Sequence, residues 1–246
     1  RVQTLAGTFV LELFDDIAPQ TTENFLNYVA SQRYNLTVIH RSEPGVLIQG
    51  GNWRFNESQQ NFSEIPKDGT VPNEFNVSNE RGTIAMAKPD NSPNGAVNEW
   101  FINLQFNSTF DTTNGGYTVF GEVITGMDVV DFISGLDRVV HPQIDFGIPI
   151  FSFNGGSVSN NDLVNVTMAV LANSYDPDSG LITISVDAQS LGLLRVSFSV
   201  VSVEQGIIQG LPETVEVLTE PRGAMSTFDT ATGRLTIPEI AVDGDI

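Results

Sequence analysis

The first clear alternation of apolar and polar positions begins at Gly7. Phe9, Leu11 and Leu13 fall on one face and Val10 and Glu12 on the other, so residues 3–14 predict a hairpin end and a strand. The period then lengthens. After Asp15-Asp16 and Pro19, the residues Phe25, Leu26 and Val29 recur at helical spacing, with Thr21 and Thr22 as candidate N-caps and Glu23 early in the helix. A stripe of this kind packs against a core. Residues 34–39, YNLTVI, predict another strand, leading into IHRSEPGVLIQGG at 39–51. There Glu43-Pro44-Gly45 predicts a turn, and the apolar run Val46-Leu47-Ile48 a short buried strand.

Residues 52–80 are polar and lack a period, and they read as one long loop. Trp53 and Phe55 within it either pin the loop down or meet a partner. RGTIAMAK then predicts a strand ending near Met86-Ala87, and residues 88–98 are rich in turn formers. Glu99 to Asn103 reads as a strand, Phe110-Asp111 as loop, Tyr117 to Gly121 as the start of a strand, and Gly126-Met127 to Phe132-Ile133 as a short helix. Residues 148–171 suggest a strand, an Asn-Gly-Gly turn and a second apolar strand that complete a first domain over residues 1–172.

Residues 173–246 contain a repeat. Tyr175-Asp176 through Gly180 to Ile184 matches Phe228-Asp229 through Gly233 to Ile237, each an aromatic-Asp turn with a glycine, followed by an alternating strand. The aspartate can bond amides of its own turn, and the glycine supplies positive φ. A repeated β-turn is the plain reading; a calcium site from Asp176, Asp178 and Asp229 is the alternative. The first copy runs on into the strand LLRVSFSVVSV, whereas the second stops near where its partner strand would begin. These residues predict a small β-rich domain, with an edge that a protein partner or further residues would complete.

Composition narrows the partners. The net charge of −19 is spread over both parts of the chain and disfavours a nucleic-acid backbone. No apolar run approaches the roughly 18–20 residues of a membrane span. With no cysteine, disulfides and thiolate metal sites are excluded, and the two histidines, His40 and His141, lack metal-ligand spacing, so no metal or cofactor is expected. An acidic, cysteine-free, lysine-poor chain beginning at Arg1 fits an exported protein, periplasmic or secreted, with its signal peptide removed.

The chemistry concentrates at 39–51. A turn followed by a strand can bring Arg41 and Gln49 to one end of a sheet over an apolar floor. That is a cation, an amide and a greasy surface without a nucleophile, which suits binding or twisting a peptide better than cutting it.

IHR-x-x-PG-x-x-IQGG resembles the signature of the cyclophilins, the peptidyl-prolyl cis-trans isomerases. FDDIAPQTTENFLNYV, VPNEF with RGTIAMAK, WFIN, VFG-x-V and GMDVV are similar to further family segments, in the same order, and the bacterial form fits best. The resemblance implies a mainly β fold, a closed antiparallel barrel with two helices, followed here by the small C-terminal β-domain. It implies isomerisation of X-Pro bonds in proline-containing peptides or unfolded proteins, with Arg41 and Gln49 as catalytic residues. The implied pocket is Val46, Leu47, Ala87, Lys88, Glu99, Phe101, Thr109, Phe110 and Tyr117. Val46 and Leu47 stand where the family usually has Phe and Met, Lys88 where eukaryotic members often have Asn, Glu99 for Gln, Thr109 for Trp or Phe, and Tyr117 for His.

An X-Pro amide resists rotation by about 18–20 kcal/mol because of C–N conjugation. A catalyst need only favour the twisted amide over the planar one. In the twisted state the proline nitrogen regains a lone pair, and a stiff, permanently charged guanidinium can donate to it. Val46 and Glu99 point to weakened turnover, with Glu99 expected to pair with Arg41. A proline-peptide binding module docked through its β-tail is the rival reading.

Overall fold

The computed structural model describes residues 1–153 and 155–170 and, beyond them, the strands between 174 and 242 named below. The chain divides into two compact units, Arg1–Met168 and Ala169–Ile246.

In the first unit β1 (Val2–Thr4) and β2 (Gly7–Leu13) form the expected hairpin, followed by helix α1 (Pro19–Ala30). The next strands are β3 (Thr37–Val38), β4 (Arg41–Glu43), β5 (Leu47–Gly50), β6 (Trp53–Asn56), β7 (Asn61–Glu64), β8 (Thr83–Met86) and β9 (Trp100–Asn103). After two 3-10 turns come β10 (Val119–Thr125), helix α2 (Met127–Gly135), the hairpin of β11 (Asp137–His141) and β12 (Ile144–Ile150), and β13 (Asn165–Met168). Eleven of these strands make one sheet in the order β4-β5-β9-β8-β10-β2-β1-β13-β3-β6-β7, with antiparallel pairing throughout.

This corrects the expectation of a closed barrel. The sheet is mainly antiparallel β with two helices, as expected, but it is open: β4 and β7 are its ends and do not pair with each other among the described residues. The physical reason is the β11–β12 hairpin, which touches both ends. β12 lies beside β4. At the other end the side-chain amide of Gln143 substitutes for a strand: its Oε1 accepts from the Phe62 N–H at 2.8 Å, and its Nε2 donates to the Phe62 carbonyl at 3.2 Å. Ile144 and Ile148 of β12 pack with Val38, Phe62 and Leu163, and Trp53 and Phe55 lean on that cluster. Side-chain packing thus fills the place where backbone pairing would have closed a barrel.

Other local expectations change as well. Residues 52–80 are not one loop, because β6 and β7 form a hairpin whose Trp53 and Phe55 serve the core. The strand expected over 34–39 is short; positive φ at Leu36 belongs to a turn that leaves only Thr37–Val38 extended. The region 148–171 is no simple hairpin. β12 pairs with β11, and β13 inserts between β1 and β3.

Helix α1 starts with Ala18 at the N-cap and Pro19 in the first turn, not with a threonine cap. Its free amides find Glu74, from VPNEF: the carboxylate accepts from the Gln20 and Thr21 N–H groups at 3.2 and 2.8 Å and from the Thr21 hydroxyl at 2.7 Å. An anion at a helix N-terminus also meets the favourable end of the dipole. Thr21 and Thr22 are buried with Phe25, Tyr28 and Val29.

In the second unit β14 (Ser174–Asp176), β15 (Leu181–Asp187), β16 (Leu193–Glu204), β17 (Ile207–Leu218), β18 (Ser226–Asp229), β19 (Arg234–Thr236) and β20 (Ala241–Val242) are described. The two repeats share a register. Asp176 faces Leu181 and Tyr175 faces Ile182, while Asp229 faces Arg234 and Phe228 faces Leu235. β16 pairs antiparallel with β15, as the pattern of LLRVSFSVVSV implies, and β20 and β18 add in parallel to β14 and β15. The connecting turns, Asp178 among them, lie outside the described residues, and the calcium reading lies there with them.

Candidate active site

The turn in IHRSEPGVLIQGG sets the register of the site. The Val46 N–H bonds the Glu43 carbonyl at 2.9 Å, with Pro44 and then Gly45 at φ 74° between them. Proline followed by a positive-φ glycine meets the demand of a type II turn. The turn joins β4 to β5 so that Arg41 faces Gln49 and Glu43 faces Leu47. Register continues the row across the sheet: Gln49 faces Phe101, Phe101 faces Ala85, and Ala85 faces Val119. A cation, an amide, an aromatic ring and two small aliphatic groups therefore stand in line on one face. On the other face Ile48, Ile102 and Ile84 form a parallel row that is completely buried. The glycines that end the motif have a steric role. Gly51 sits at φ 98°, and a Cβ there would come within 2.5 Å of the Asn98 carbonyl and 2.8 Å of Trp100.

Above this row lies a cleft of about 550 Å³, lined by Arg41, Leu47, Gln49, Lys67, Ala87, Lys88, Pro89, Asp90, Gly95, Val97, Asn98, Glu99, Phe101, Phe110, Tyr117 and Phe146. Its apolar end is an aromatic trio. The Phe101 ring meets Phe110 at 5.5 Å and Tyr117 at 5.7 Å, both nearly edge-on, and Phe110 meets Tyr117 at 5.3 Å. Leu47, Ala85, Phe101 and Val119 are buried beneath it, with Val46, Ala87, Phe110 and Tyr117 packed partly buried on them.

The polar end is a chain of hydrogen bonds. Arg41 donates from Nε to Glu43 Oε1 at 2.8 Å, and from Nη2 to the same oxygen. Its Nη1 donates to Gln49 Oε1 at 3.1 Å. Gln49 Nε2 in turn donates to Glu99 Oε2 at 2.6 Å. The same carboxylate oxygen is 3.4 Å from Nε2 of His40, a residue buried to 1% exposure. Because an ionised carboxylate only accepts, Glu99 obliges Gln49 to turn its NH₂ inward and its carbonyl toward Arg41. Burial pushes the Glu99 carboxyl up, but the bonds and charge from His40 and the bond from Gln49 outweigh it and hold the group below its ordinary value. The Phe146 ring lies against the guanidinium, 4.4 Å from Cζ to centroid.

Of the residues named from sequence, Arg41, Gln49, Leu47, Ala87, Lys88, Glu99, Phe101, Phe110 and Tyr117 meet in this cleft. Val46 does not line the cleft but packs, partly buried, on the cluster of Leu47, Ala85, Phe101 and Val119. Thr109 is exposed on the 3-10 turn Ser108–Asp111, which turns Phe110 inward and Thr109 outward, and it does not line the cleft. Lys88 reaches over the Tyr117 ring at 5.1 Å and bonds the carbonyls of Gly116 and Pro93, and burial lowers its pKa. The partner expected for Glu99 was Arg41; the structure gives Arg41 to Glu43 and Glu99 to Gln49 and His40. Glu43 was legible as a turn residue only, although two-residue periodicity on β4 puts it on the face of Arg41. His40, which lacks metal-ligand spacing in the sequence, acts here as a neighbour of Glu99. Phe146 carried no signal, since it arrives on the unforeseen β11–β12 hairpin.

Comparisons with known proteins show the family. A family profile described as cyclophilin type peptidyl-prolyl cis-trans isomerase/CLD matches residues 1–151. A peptidyl-prolyl cis-trans isomerase of Streptomyces antibioticus is 42% identical over 141 residues, covering 55% of this chain and 82% of that one. Peptidyl-prolyl cis-trans isomerase B of Escherichia coli K12 is 40% identical over 137 residues, covering 53% and 80%. The Acinetobacter baylyi peptidyl-prolyl cis-trans isomerase is 38% identical over 140 residues, covering 55% and 71%. In fold, the chain resembles a crystal structure of a Cryptosporidium parvum cyclophilin type peptidyl-prolyl cis-trans isomerase obtained in the presence of the dipeptide Ala-Pro, with TM-score 0.51 and 22% identity over 68% of this chain and 96% of that one. Family profile, relatives and the residues gathered in the cleft converge, and the chain belongs to the cyclophilin-type peptidyl-prolyl cis-trans isomerases.

Proposed function

We propose that the cleft isomerises X-Pro bonds without covalent chemistry, with Arg41 stabilising the twisted amide. The aromatic trio of Phe101, Phe110 and Tyr117 grips the proline ring. Arg41 stands at the polar end of the same row. A guanidinium has five N–H donors, and Glu43 and Gln49 engage three of them. One N–H on each terminal nitrogen is left to address a substrate. As the amide twists, its nitrogen becomes an acceptor, so the hydrogen bond strengthens only on the way to the transition state. Gln49, its amide turned by Glu99, braces the guanidinium. The observation that carries this reading is the cross-strand row joining Arg41, Gln49 and Phe101.

Turnover is reduced relative to a pocket with a larger residue at Val46. The missing carbons, at roughly 0.8 kcal/mol per buried CH₂, weaken proline binding by about 1–3 kcal/mol. Clients in an exported compartment fit the acidic, cysteine-free composition; cell fractionation tests that part by itself.

The deciding measurement is exchange NMR on an Ala-Pro-containing tetrapeptide. Wild-type protein accelerates cis/trans exchange, and Arg41→Ala lowers the acceleration by about 100-fold or more while binding persists, as expected for loss of a transition-state donor. Unchanged exchange in Arg41→Ala refutes the role of the guanidinium. Binding by the wild type without faster exchange selects the peptide-binding module instead.

A further inference from the structure

Arg41 is restrained within the plane of its guanidinium by Glu43 at one edge and Gln49 at another. In-plane hydrogen bonds set where the group sits, but they resist tilting out of the plane only weakly. Tilt matters, because the remaining N–H groups must point at the proline nitrogen. An aromatic ring beneath the guanidinium would supply that restraint, and Arg41 Cζ lies over the Phe146 ring at 4.4 Å from its centroid.

Phe146 stands out on its own strand. Ile144 and Ile148, two positions to either side, are buried at 3% and 1% exposure, yet Phe146 is 40% exposed. The β11–β12 register shifts between the pairs Val139–Ile148 and His141–Ile144, an irregularity of the kind that re-aims a side chain. The outer two enter the core with Val38 and Phe62, whereas the phenylalanine between them turns to Arg41, with its centroid 4.4 Å from Cζ. β12 runs beside β4, which brings the two side chains together. The ring also lines the cleft.

We propose that Phe146 is a positioning residue for the reaction, stacking on Arg41 to hold the tilt of its guanidinium. The inference rests on the reading that Arg41 acts on the twisted amide. It assigns the β11–β12 hairpin to the active site as well as to the fold.

Two measurements test it. In wild-type protein the Arg41 Cζ lies over the ring, 4.4 Å from its centroid, so the NMR signals of the Arg41 side chain should be displaced by the ring current, and Phe146→Leu should remove the displacement. Leucine keeps the apolar bulk and loses the π face. In tetrapeptide exchange, Phe146→Leu should lower kcat roughly three- to tenfold, the size of a partly exposed cation–π contact, with KM within about twofold. Phe146→Tyr, which keeps the face, should restore both the signal and kcat. A rise in KM alone would make Phe146 a substrate-contact wall and overturn the proposal. So would an undisplaced Arg41 signal in the wild type, which needs no variant to fold, or a Phe146→Tyr as slow as Phe146→Leu. Arg41→Ala run alongside separates the two claims. If it abolishes turnover while Phe146→Leu matches wild type, only the stacking role fails. If it leaves turnover intact, the mechanism itself fails.

Discussion

Arg41 carries the chemistry, but the residues around it decide how well it is aimed. Glu43 shares its face on β4, and the cross-strand position belongs to Gln49. Glu99 acts one step further away, by fixing which end of the Gln49 amide meets the guanidinium. That dependence has a pH signature. Hydrogen bonding holds the Glu99 carboxyl below its ordinary value of 4.5, so the group stays ionised through neutral and mildly acidic conditions and protonates only when the pH falls below that value. Turnover should therefore be flat from neutrality down to that limit and then decline, because a protonated carboxyl accepts more weakly from Gln49 Nε2 and can also donate, so it no longer dictates which end of the amide faces it. Glu99→Gln should remove the acidic decline. At neutral pH it should keep kcat/KM within about fivefold of wild type, because a neutral amide oxygen still accepts, though less strongly than a carboxylate. A pH profile of the two proteins, each checked for folding, decides the matter; superimposable acidic limbs would exclude Glu99 as the orienting group. The identities of Arg41, Gln49, Phe101 and Phe110 could be read from their motifs. The pairing of Glu99 could not, because a carboxylate near two cations and an amide has several partners within reach until the backbone is placed.

At the level of elements, the β11–β12 hairpin does two jobs. It takes the place of strand pairing between the two ends of the sheet, and it carries Phe146 to the site. Gln143 is the hinge of the first job, because both backbone groups of the buried Phe62 depend on its amide. Gln143→Ala should destabilise the protein by about 1–3 kcal/mol, the cost of leaving buried donors or acceptors unsatisfied. Urea unfolding measures this, and hydrogen exchange should show loss of protection at the Phe62 amide first. A change below about 0.5 kcal/mol, within the range of ordinary surface substitutions, would mean that water replaces the amide at no cost. Helix α1 shows the same dependence on distant sequence. Its apolar stripe was visible, with Phe25 and Val29 buried as expected, but its cap is Glu74, more than fifty residues on. Neighbouring threonines were the natural candidates because a local sequence window shows only local partners. The polar stretch 52–80 hid a hairpin for a related reason: β6 and β7 draw support from Val38, Ile144 and Leu163, none of which lies within them.

For the molecule as a whole, charge is the property with the longest reach. A net charge of −19 repels itself, and the ion pairs of the first unit, such as Arg33–Asp68 and Arg81–Asp131, lie at the surface, where salt weakens them little in absolute terms. Screening the repulsion should therefore outweigh screening the pairs. Raising sodium chloride from about 10 to about 200 mM at neutral pH shortens the Debye length from roughly 30 to 7 Å and should raise Tm. A fall in Tm over that range would show that specific pairs dominate instead. What the sequence determined by itself was local and additive. Period placed most strands and both helices, Pro44-Gly45 placed the turn, and the motif named the cation, the amide and most of the aromatic pocket. The tertiary structure decided whether the sheet closes, which carboxylate holds which donor, and which ring covers Arg41. Those outcomes depend on groups far apart in the chain competing for the same space and the same hydrogen bonds, and only the packed molecule resolves that competition.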